Sequence, residues 1–539
     1  MTQETLFKNG IINSMDSAVP NPEAVAIADG KIVAVGSALD VEDQIGAKHH
    51  VIDLHGSVLQ PGFVEPHSHI LWAAKTRGAP VGDITAAVVP TYRAAIAKVK
   101  RHVAEAVPGE FLLFYGVDPQ LHTDMEEPSR SFLDEIAPNN PLALQTSNGH
   151  AVFMNSAALD ACNITKDTPT PVGSVIARDD SGTPTGRLEE ALVWRVLEIF
   201  YESWGENRLT TEFRKSIDTC LRAGVTTVTE HLYLPFYKTY YLQALKQAVP
   251  LPRVAAYQQA VDPDMMVERI DLDDRLWMAG VKIHADGSPF VGNIWLTKPY
   301  LETSTTLERM HLSPGHTGGP NYPADFFEMM VRNYFGQGWQ MSVHTQGDRT
   351  IDMVLDLVET ILEETPRDDH RFRLEHCALM REDQIVRAKD LGVQCSFFIN
   401  HITHWGGPIE DALFGPERAA HYMPAGSAHK AGMRLSLHAD APMTVTSGLD
   451  LMQAASTRMT NDGRCLGENE RLDRLTALKA VTIDAAFHIG MEHKLGSLTR
   501  GKLADLVILD RDPLDTNPHE LSAIQVEQTW LAGECVYRR

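Results

Sequence analysis

Residues 61–70 read PGFVEPHSHI, and this stretch places two histidines one residue apart behind a Pro-Gly turn and a short apolar run. Residues i and i+2 of a strand point to the same face, so His67 and His69 can hold one metal ion if the stretch enters a barrel as a strand. An HxH pair alone is commoner than metal sites are. The pattern therefore predicts further ligands in distant parts of the chain.

Between about residues 61 and 489, short apolar segments alternate with longer amphipathic ones. Repeated strand–helix alternation predicts a parallel sheet, and eight strands are the number that closes a (β/α)8 TIM barrel. This count requires residues 71–220 to be a large insertion after strand 1. The predicted strands lie in FVEPHSH (63–69), GVTTVTEHL (224–232), RVAAYQQA (253–260), GVKIHADG (280–287), WQMSVHTQGD (339–348), RLEHCAL (373–379), VQCSFF (393–398) and MRLSLHADAP (433–442).

The two ends of the chain consist of short apolar runs separated by Gly, Asp and Asn. Asp29-Gly30, between AVAIA and KIVAVG, is a strong hairpin signal. Because termini often lie close together, we expect residues 1–60 and 490–539 to form one small β-sandwich domain beside a barrel domain of residues 61–489.

The composition excludes several classes of partner. The 539 residues carry a net charge of −23, and an acidic surface disfavours nucleic acid and anionic membranes. No N-terminal secretory signal, no apolar stretch long enough to span a bilayer and no CxxC pair is found. We therefore expect a cytoplasmic, globular protein that binds a small-molecule substrate. A homodimer stays open, since no interface can be read from the sequence.

The active site of such a barrel lies at the carboxyl ends of its strands. Imidazoles and carboxylates at these ends are the ligands that zinc and similar divalent metals prefer. Taken singly, such residues are more often core or ion-pair residues than metal ligands, but their joint placement favours a metal site. The residues are His67 and His69 on strand 1, Lys282 on strand 4, His344 on strand 5, His376 on strand 6 and Asp440 on strand 8.

Several of these motifs together resemble those of the amidohydrolase superfamily, specifically its YtcJ-like branch (the amidohydrolase 3 group). The resemblance covers nearly the whole chain, and N-substituted formamide deformylases are a characterised activity of this branch. It rests on PGFVEPHSH, GVKIHADG, SVHTQGD, RLEHC, HADAPM and GSLTRGKLADLVILD, with NGHAVFMNSAAL (148–159) in the insertion.

The resemblance implies two divalent metal ions, with zinc favoured. His67, His69 and Asp440 would hold one ion, and His344 and His376 the other. Lys282 matches the family's lysine that carries a carbamate bridging both ions. The implied reaction is hydrolysis of a non-peptide C–N bond by a metal-activated hydroxide. Asp440 would be the catalytic residue, taking the proton of the attacking water and passing it to the leaving nitrogen.

Two positions depart from the family pattern. The family usually has Asp where this chain has Glu65, which we expect to orient a ligand imidazole. The strand-8 motif is commonly Gly-Ser-Asp-Ala-Pro, and here it begins with His438. The role of His438 stays open.

Substrate contacts are predicted less sharply. His150 lies in a motif shared with the branch, Trp72 follows the HxH pair, and Asp286 is either a substrate contact or part of an Asp-Gly turn. The Gly- and Pro-rich loop 311–323 is expected to lie over the site as a lid. His401 and His404, after strand 7, either reach the mouth of the pocket or are surface loop histidines, and their role stays open.

Two other functions are compatible with parts of this pattern. A non-catalytic binding protein with this barrel is disfavoured because all six ligand positions are filled. A mononuclear deaminase of a heterocyclic amine usually needs a Glu shortly after the strand-5 histidine and does not need the lysine. Here His344 is followed by Thr-Gln-Gly-Asp and Lys282 is present, so the sequence favours a binuclear hydrolase.

Overall fold

The computed structural model describes residues 4–77, 82–246 and 250–539. Its first sixty residues form short strands joined by tight turns. Asp29 and Gly30 have φ of 51° and 73°, as a two-residue hairpin turn of type I′ requires. The elements are β1 (Glu4–Lys8), β2 (Ile11–Ile12), β3 (Ala24–Ala28), β4 (Lys31–Gly36), α1 (Ala38–Glu42), β5 (His49–Asp53) and β6 (Val58–Pro61).

The next strand, β7 (Phe63–Val64), leads into the HxH pair and then α2 (Ile70–Arg77). After α2 the chain builds a separate six-stranded sheet, in which residues 112–117 and 142–146 pair in parallel. The elements are β8 (Gly82–Asp83), α3 (Tyr92–Glu105), β9 (Leu112–Val117), α4 (Arg130–Ile136), β10 (Leu142–Thr146), β11 (Ala151–Met154), α5 (Ser156–Ala161), β12 (Ser174–Arg178), β13 (Pro184–Glu190), α6 (Ala191–Ser203) and α7 (Glu206–Arg222).

The barrel continues with strands rich in buried Val, Ile, Leu and Ala, as expected of strands covered on both faces. They are β14 (Val225–Tyr233), β15 (Arg253–Gln259), β16 (Asp271–Leu272), β17 (Leu276–His284), β18 (Gln340–Thr345), β19 (Arg373–His376), β20 (Gln394–Phe397) and β21 (Leu435–Leu437). Eight parallel strands follow the order β21-β20-β19-β18-β17-β15-β14-β7, and the short β16 pairs antiparallel with β17. Each predicted barrel segment contains one of these strands, which confirms the parallel sheet of a TIM-like barrel.

The helices of this part alternate with the barrel strands along the chain. They are α8 (Lys238–Lys246), α9 (Ala324–Gly336), α10 (Asp348–Glu364), α11 (Glu382–Asp390), α12 (Asn400–Pro408), α13 (Gly415–Ala420), α14 (Ala425–Lys430), α15 (Gly448–Thr457), α16 (Arg474–Ala480) and α17 (Ile483–His488). In the described parts of the chain, no helix combines the length and the apolar character needed to cross a membrane.

The first and last barrel strands are joined by side-chain and loop contacts. The Glu65 carboxylate accepts hydrogen bonds from the backbone N–H of Ala439, at 3.1 and 3.3 Å, and of His67, at 3.2 Å. The N–H of His69 donates to the carbonyl of Ala441 at 2.9 Å. The Glu65 carboxylate therefore binds the backbone of Ala439 and His67. The sequence predicted instead that it would orient a ligand imidazole.

The chain ends with β22 (Leu506–Leu509), β23 (Val526–Leu531) and β24 (Glu534–Arg538). Two sheets result, in the orders β4-β3-β1-β5 and β2-β6-β22-β23-β24, so both ends of the chain share one sheet. Their side chains meet in one apolar cluster, where the rings of Phe7 and Trp530 lie 5.2 Å apart. The boundaries 1–60, 61–489, 71–220 and 490–539 stay predictions.

Candidate active site

The HxH pair meets the carboxylate of the last barrel strand. Asp440 Oδ1 lies 3.2 Å from His69 Nε2 and 3.5 Å from His67 Nε2. This oxygen is buried and has no hydrogen-bond partner among the described residues, a costly arrangement unless a cation satisfies it. The three side chains place one ligand atom each within 4.8 Å of one another. They therefore fit a divalent metal ion.

His67 is oriented by a carboxylate that the sequence analysis did not single out. Its Nδ1 lies 2.7 Å from Glu375 Oε2, so Nδ1–H donates there and Nε2 faces Asp440. Glu375 also accepts from Ser342 Oγ at 2.9 Å and from Arg373. Burial, followed by the positive groups around it, keeps the pKa of His67 well below its usual value. A neutral imidazole of this kind is the form that binds metals.

Lys282 projects from β17 into the same buried region. Its Nζ lies 3.4 Å from His67 Nε2, and the residue is fully buried. Burial lowers the pKa of Lys282 to about 8, although the carboxylates of Glu375 and Asp440 oppose this. The uncharged amine is the form that can take up carbon dioxide, so the site fits the expected carbamate.

The strand-5 and strand-6 histidines face each other, with ring centroids 4.4 Å apart. His344 Nε2 donates to the carbonyl of Gly287 at 2.8 Å, so Nδ1 is the nitrogen that could bind a metal. His376 Nδ1 contacts His438 Nε2 at 3.1 Å, so Nε2 is the nitrogen outside this contact that could bind a metal. The structure thus brings together all six residues predicted as metal ligands.

His438, whose role the sequence left open, lies between a predicted ligand and a serine. Its second nitrogen, Nδ1, is 2.8 Å from Ser396 Oγ. Ser436 Oγ in turn lies 2.9 Å from Ser396 Oγ and 2.7 Å from His488 Nδ1. A buried row of polar groups therefore extends from His376 down the inside of the barrel.

A small closed cavity lies beside these residues, and we name it the inner cavity. The space that the centre of a water molecule can reach in it has a volume of about 20 Å3. This is enough for one or two water-sized groups. Besides the histidines and Asp440, its walls include Trp72, His150, Trp194, His284 and Met443. Trp194 and His150 belong to the segment between β7 and β14, so that segment forms part of the site.

The three predicted substrate contacts are placed differently. Trp72 and His150 line the inner cavity, and Asp286 does not. The Asp286 carboxylate accepts hydrogen bonds from the N–H groups of Gln346 and Gly347 and from Thr350 Oγ1. It therefore anchors the segment that follows His344, and this geometry gives no support to a contact with substrate.

His401 and His404 lie on α12, outside the inner cavity. His401 is buried, with Nδ1 3.1 Å from the Tyr422 hydroxyl and its ring 4.1 Å from that of Phe398. His404 is exposed. The interpretation as surface loop histidines is therefore wrong for His401, because aromatic packing covers its ring.

Two further histidines near the site were not anticipated. His231, in β14, is stacked between His67 and Tyr257, with ring centroids 4.0 and 4.2 Å away. His284, in β17, lies against Trp194 at 4.6 Å. Both are in segments already predicted as barrel strands, and their places near the strand ends were the signal that could have found them.

Comparisons with known proteins agree with this geometry. The profile of the amidohydrolase family (Amidohydro_3) matches residues 50–537. The N-substituted formamide deformylase of Arthrobacter pascens is 28% identical over 100% of this chain and 99% of its own length. Putative amidohydrolase YtcJ of Bacillus subtilis is 24% identical over 99% and 100% of the two chains.

The fold is shared with a solved structure described as an uncharacterized metal-dependent hydrolase from Pyrococcus horikoshii. That structure is 21% identical, with a TM-score of 0.74, and the match covers 96% of this chain and 99% of that one. The match of the family profile extends over most of the sequence, from the end of the N-terminal sheet to the last strand. The chain therefore belongs to the amidohydrolase family.

Proposed function

We propose that this amidohydrolase cleaves a non-peptide C–N bond in an amide, an N-substituted formamide or a cyclic amide. The observation that carries the proposal is the unpartnered Asp440 Oδ1, which faces the Nε2 atoms of His67 and His69 in a buried site. The full-length similarity to an N-substituted formamide deformylase supports this choice of bond.

The ligands divide between two divalent cations, for which zinc is our proposal. His67, His69 and Asp440 would hold one cation, and His344 and His376 the other, with Lys282 carrying the bridging carbamate. When bound, the cations supply a water of lowered pKa and polarise the carbonyl of the substrate. The neutral imidazoles and the orphaned carboxylate oxygen fit this donor set.

Asp440 moves the proton in the proposed reaction. Its carboxylate accepts a proton from the attacking water and delivers it to the leaving nitrogen as the C–N bond breaks. Water and amide thus become a carboxylic acid and an amine. Trp72, Trp194 and Met443 wall the inner cavity and restrict the access of bulk water.

Metal content per chain tests the proposal, measured by elemental analysis of protein purified without chelator or added metal. We expect about two equivalents in the native chain and one or none in Lys282→Ala. Amine release from N-substituted formamides, simple amides and cyclic amides is then measured with the native protein.

A single equivalent unaffected by the Lys282 variant would refute the bridged pair and favour mononuclear chemistry. A protein without metal, and without activity after zinc is added, would leave the non-catalytic alternative.

A further inference from the structure

A second, larger cavity lies next to the inner cavity, and we name it the outer chamber. Its volume of about 770 Å3 falls within the range of small-molecule sites. One wall comes from β12 and β13, and the other from residues 291–293 and 310–321. Exposed Val175 and His311 belong to these walls, so the chamber meets solvent. The predicted lid loop is thus largely a wall of this chamber.

A single layer of side chains separates the two cavities. His150 lines the inner cavity, and its Nδ1 lies 3.1 Å from both carboxylate oxygens of Glu190, which lines the outer chamber. Asn293 Nδ2 donates to Glu190 Oε1 at 2.5 Å, and Asn321 Nδ2 donates to Oε2 at 3.2 Å. The outer chamber therefore ends at the wall of the active site.

The backbone at this partition has an unusual conformation. Glu190 is buried and has φ of 62° and ψ of −138°, a region that non-glycine residues rarely occupy. Such conformations persist where the surrounding contacts hold them and are concentrated at functional sites. Here His150, Asn293 and Asn321 hold the carboxylate at the boundary.

The charged side chains of the chamber wall determine which ligands it attracts. The described residues that line it include three glutamates, one arginine and two histidines. The arginine, Arg187, is paired with Glu127 and Glu189, each at 2.7 Å. The three carboxylates outnumber the one guanidinium, so the wall has an excess of negative charge that attracts cations and repels carboxylates.

We propose that the outer chamber is the subsite for the nitrogen substituent of the substrate, and that this substituent carries an ammonium group. The inference rests on the proposed function. The inner cavity has room for a small acyl group such as formyl, whereas the chamber has room for a chain of several carbons. To occupy both cavities, the substrate has to displace the Glu190 side chain from His150. The bond to be cleaved then lies at the partition, and the amine product leaves through the chamber.

Substitutions at two valines of the same segment test whether the nitrogen substituent occupies the outer chamber. Val175 lines the chamber, whereas Val172 is exposed and does not. Val175→Trp should lower kcat/KM for N-(4-aminobutyl)formamide about tenfold or more and leave N-methylformamide within about twofold. Val172→Trp should leave both rates unchanged. Equal effects of Val175→Trp on both substrates, or none on either, would overturn the subsite.

The preference for an ammonium group is tested with three formamides whose nitrogen substituents have similar lengths. N-(4-aminobutyl)formamide should be preferred to N-pentylformamide, and that compound to 5-formamidopentanoate. The preference should shrink in Glu127→Gln and at high salt, where exposed charges are screened. Equal rates for the three compounds would refute the ammonium preference.

Binding separates this inference from the proposed function. Calorimetry with butane-1,4-diamine, pentan-1-amine and 5-aminopentanoate requires no hydrolysis. Diamine binding that Val175→Trp abolishes, in a protein that hydrolyses no formamide, amide or cyclic amide, would support the chamber and refute the proposed reaction. Formamide hydrolysis without selective amine binding would refute the chamber alone.

Discussion

The imidazole of His438 lies against that of His376, with His438 Nε2 3.1 Å from His376 Nδ1. A neutral imidazole has one donor and one acceptor nitrogen. When His376 Nδ1 donates to His438, His376 Nε2 is left as an acceptor for a metal. His438 Nδ1, 2.8 Å from Ser396 Oγ, keeps the second ring in place. An imidazole at a position where the family commonly has glycine therefore fixes the orientation of a predicted ligand.

Removal of His438 should weaken metal binding. In His438→Ala we expect metal affinity or activity to fall about 10- to 100-fold, the usual effect of losing a partner that orients a ligand. Chelator titration of the loaded protein measures the affinity, and kcat at saturating metal measures the activity. His404→Ala changes an exposed histidine and serves as the control. Equal metal retention in both variants would contradict the role of His438.

The buried pair Arg373–Glu375 should show strong coupling in stability. Both side chains are fully buried, with Arg373 Nε 2.8 Å from Glu375 Oε1. Glu375→Leu should cost about 3–5 kcal/mol because it leaves the guanidinium buried without its carboxylate. Urea unfolding measures this cost.

The double variant Glu375→Leu/Arg373→Met should recover much of this stability, since no buried charge is left unpaired. It should not recover activity, because His67 Nδ1 still lacks its acceptor. Additive costs of the two single changes would refute the coupling.

Two helix glycines should respond oppositely to alanine. A Cβ at Gly448, at the start of α15, would lie 2.5 Å from Phe63 Cδ1 in β7. Gly448→Ala should therefore cost about 1–3 kcal/mol, as overpacking does. A Cβ at Gly336, the last residue of α9, would meet no heavy atom within 4 Å. Gly336→Ala should be neutral or stabilise by up to about 1 kcal/mol. Thermal unfolding of both proteins checks the contrast, and equal shifts would contradict it.

Arg371 should contribute stability that disappears in acid. It bonds Asp369 and Glu492 at 2.7–2.9 Å. These bonds hold the pKa of Asp369 below its usual value, and they lower that of Glu492 although burial opposes them. Because the folded pKa values are lowered, the stabilisation is present above about pH 4 and is lost as pH falls through the folded values.

The matching variant is Arg371→Met. The pH-dependent part of its cost should be about 1 kcal/mol at pH 7, allowing for solvent screening, and should disappear as pH falls through the lowered folded pKa values of Asp369 and Glu492. Unfolding free energies at several pH values measure it. Arg309 bonds carbonyl and hydroxyl oxygens, so Arg309→Met should show a cost independent of pH. Parallel profiles of the two variants would refute the prediction.

The sequence predicted the eight barrel strands and the gathering of six ligands because both follow from the period of the strands. It did not predict Glu375, which precedes His376. Adjacent strand residues point to opposite faces, yet both side chains reach the site. His376 has φ of 72°, and this local turn of the backbone redirects its ring.

His231 was not predicted for the same reason, an irregular backbone that redirects its side chain. The pairing of β14 with β15 shifts register between Glu230 and Tyr233, and such bulges redirect side chains near active sites. The outer chamber could not be predicted from the sequence either, because its walls come from β12, β13 and a distant loop. The alternation of residues predicts side-chain directions only in the regular part of a strand. Glu375, His231 and the outer chamber lie at irregular strand positions or outside the barrel strands.

The contact that joins the first and last barrel strands links Glu65 to Ala439, which are 374 residues apart in the chain. During synthesis, the HxH pair emerges long before the segment that carries Asp440. A contact of such sequence separation forms late in folding. The complete set of predicted ligands therefore comes together only after residue 440 has been synthesised, and a metal that needs all of them would be bound after that point. A polypeptide released before residue 440 keeps the first two histidines but lacks their carboxylate.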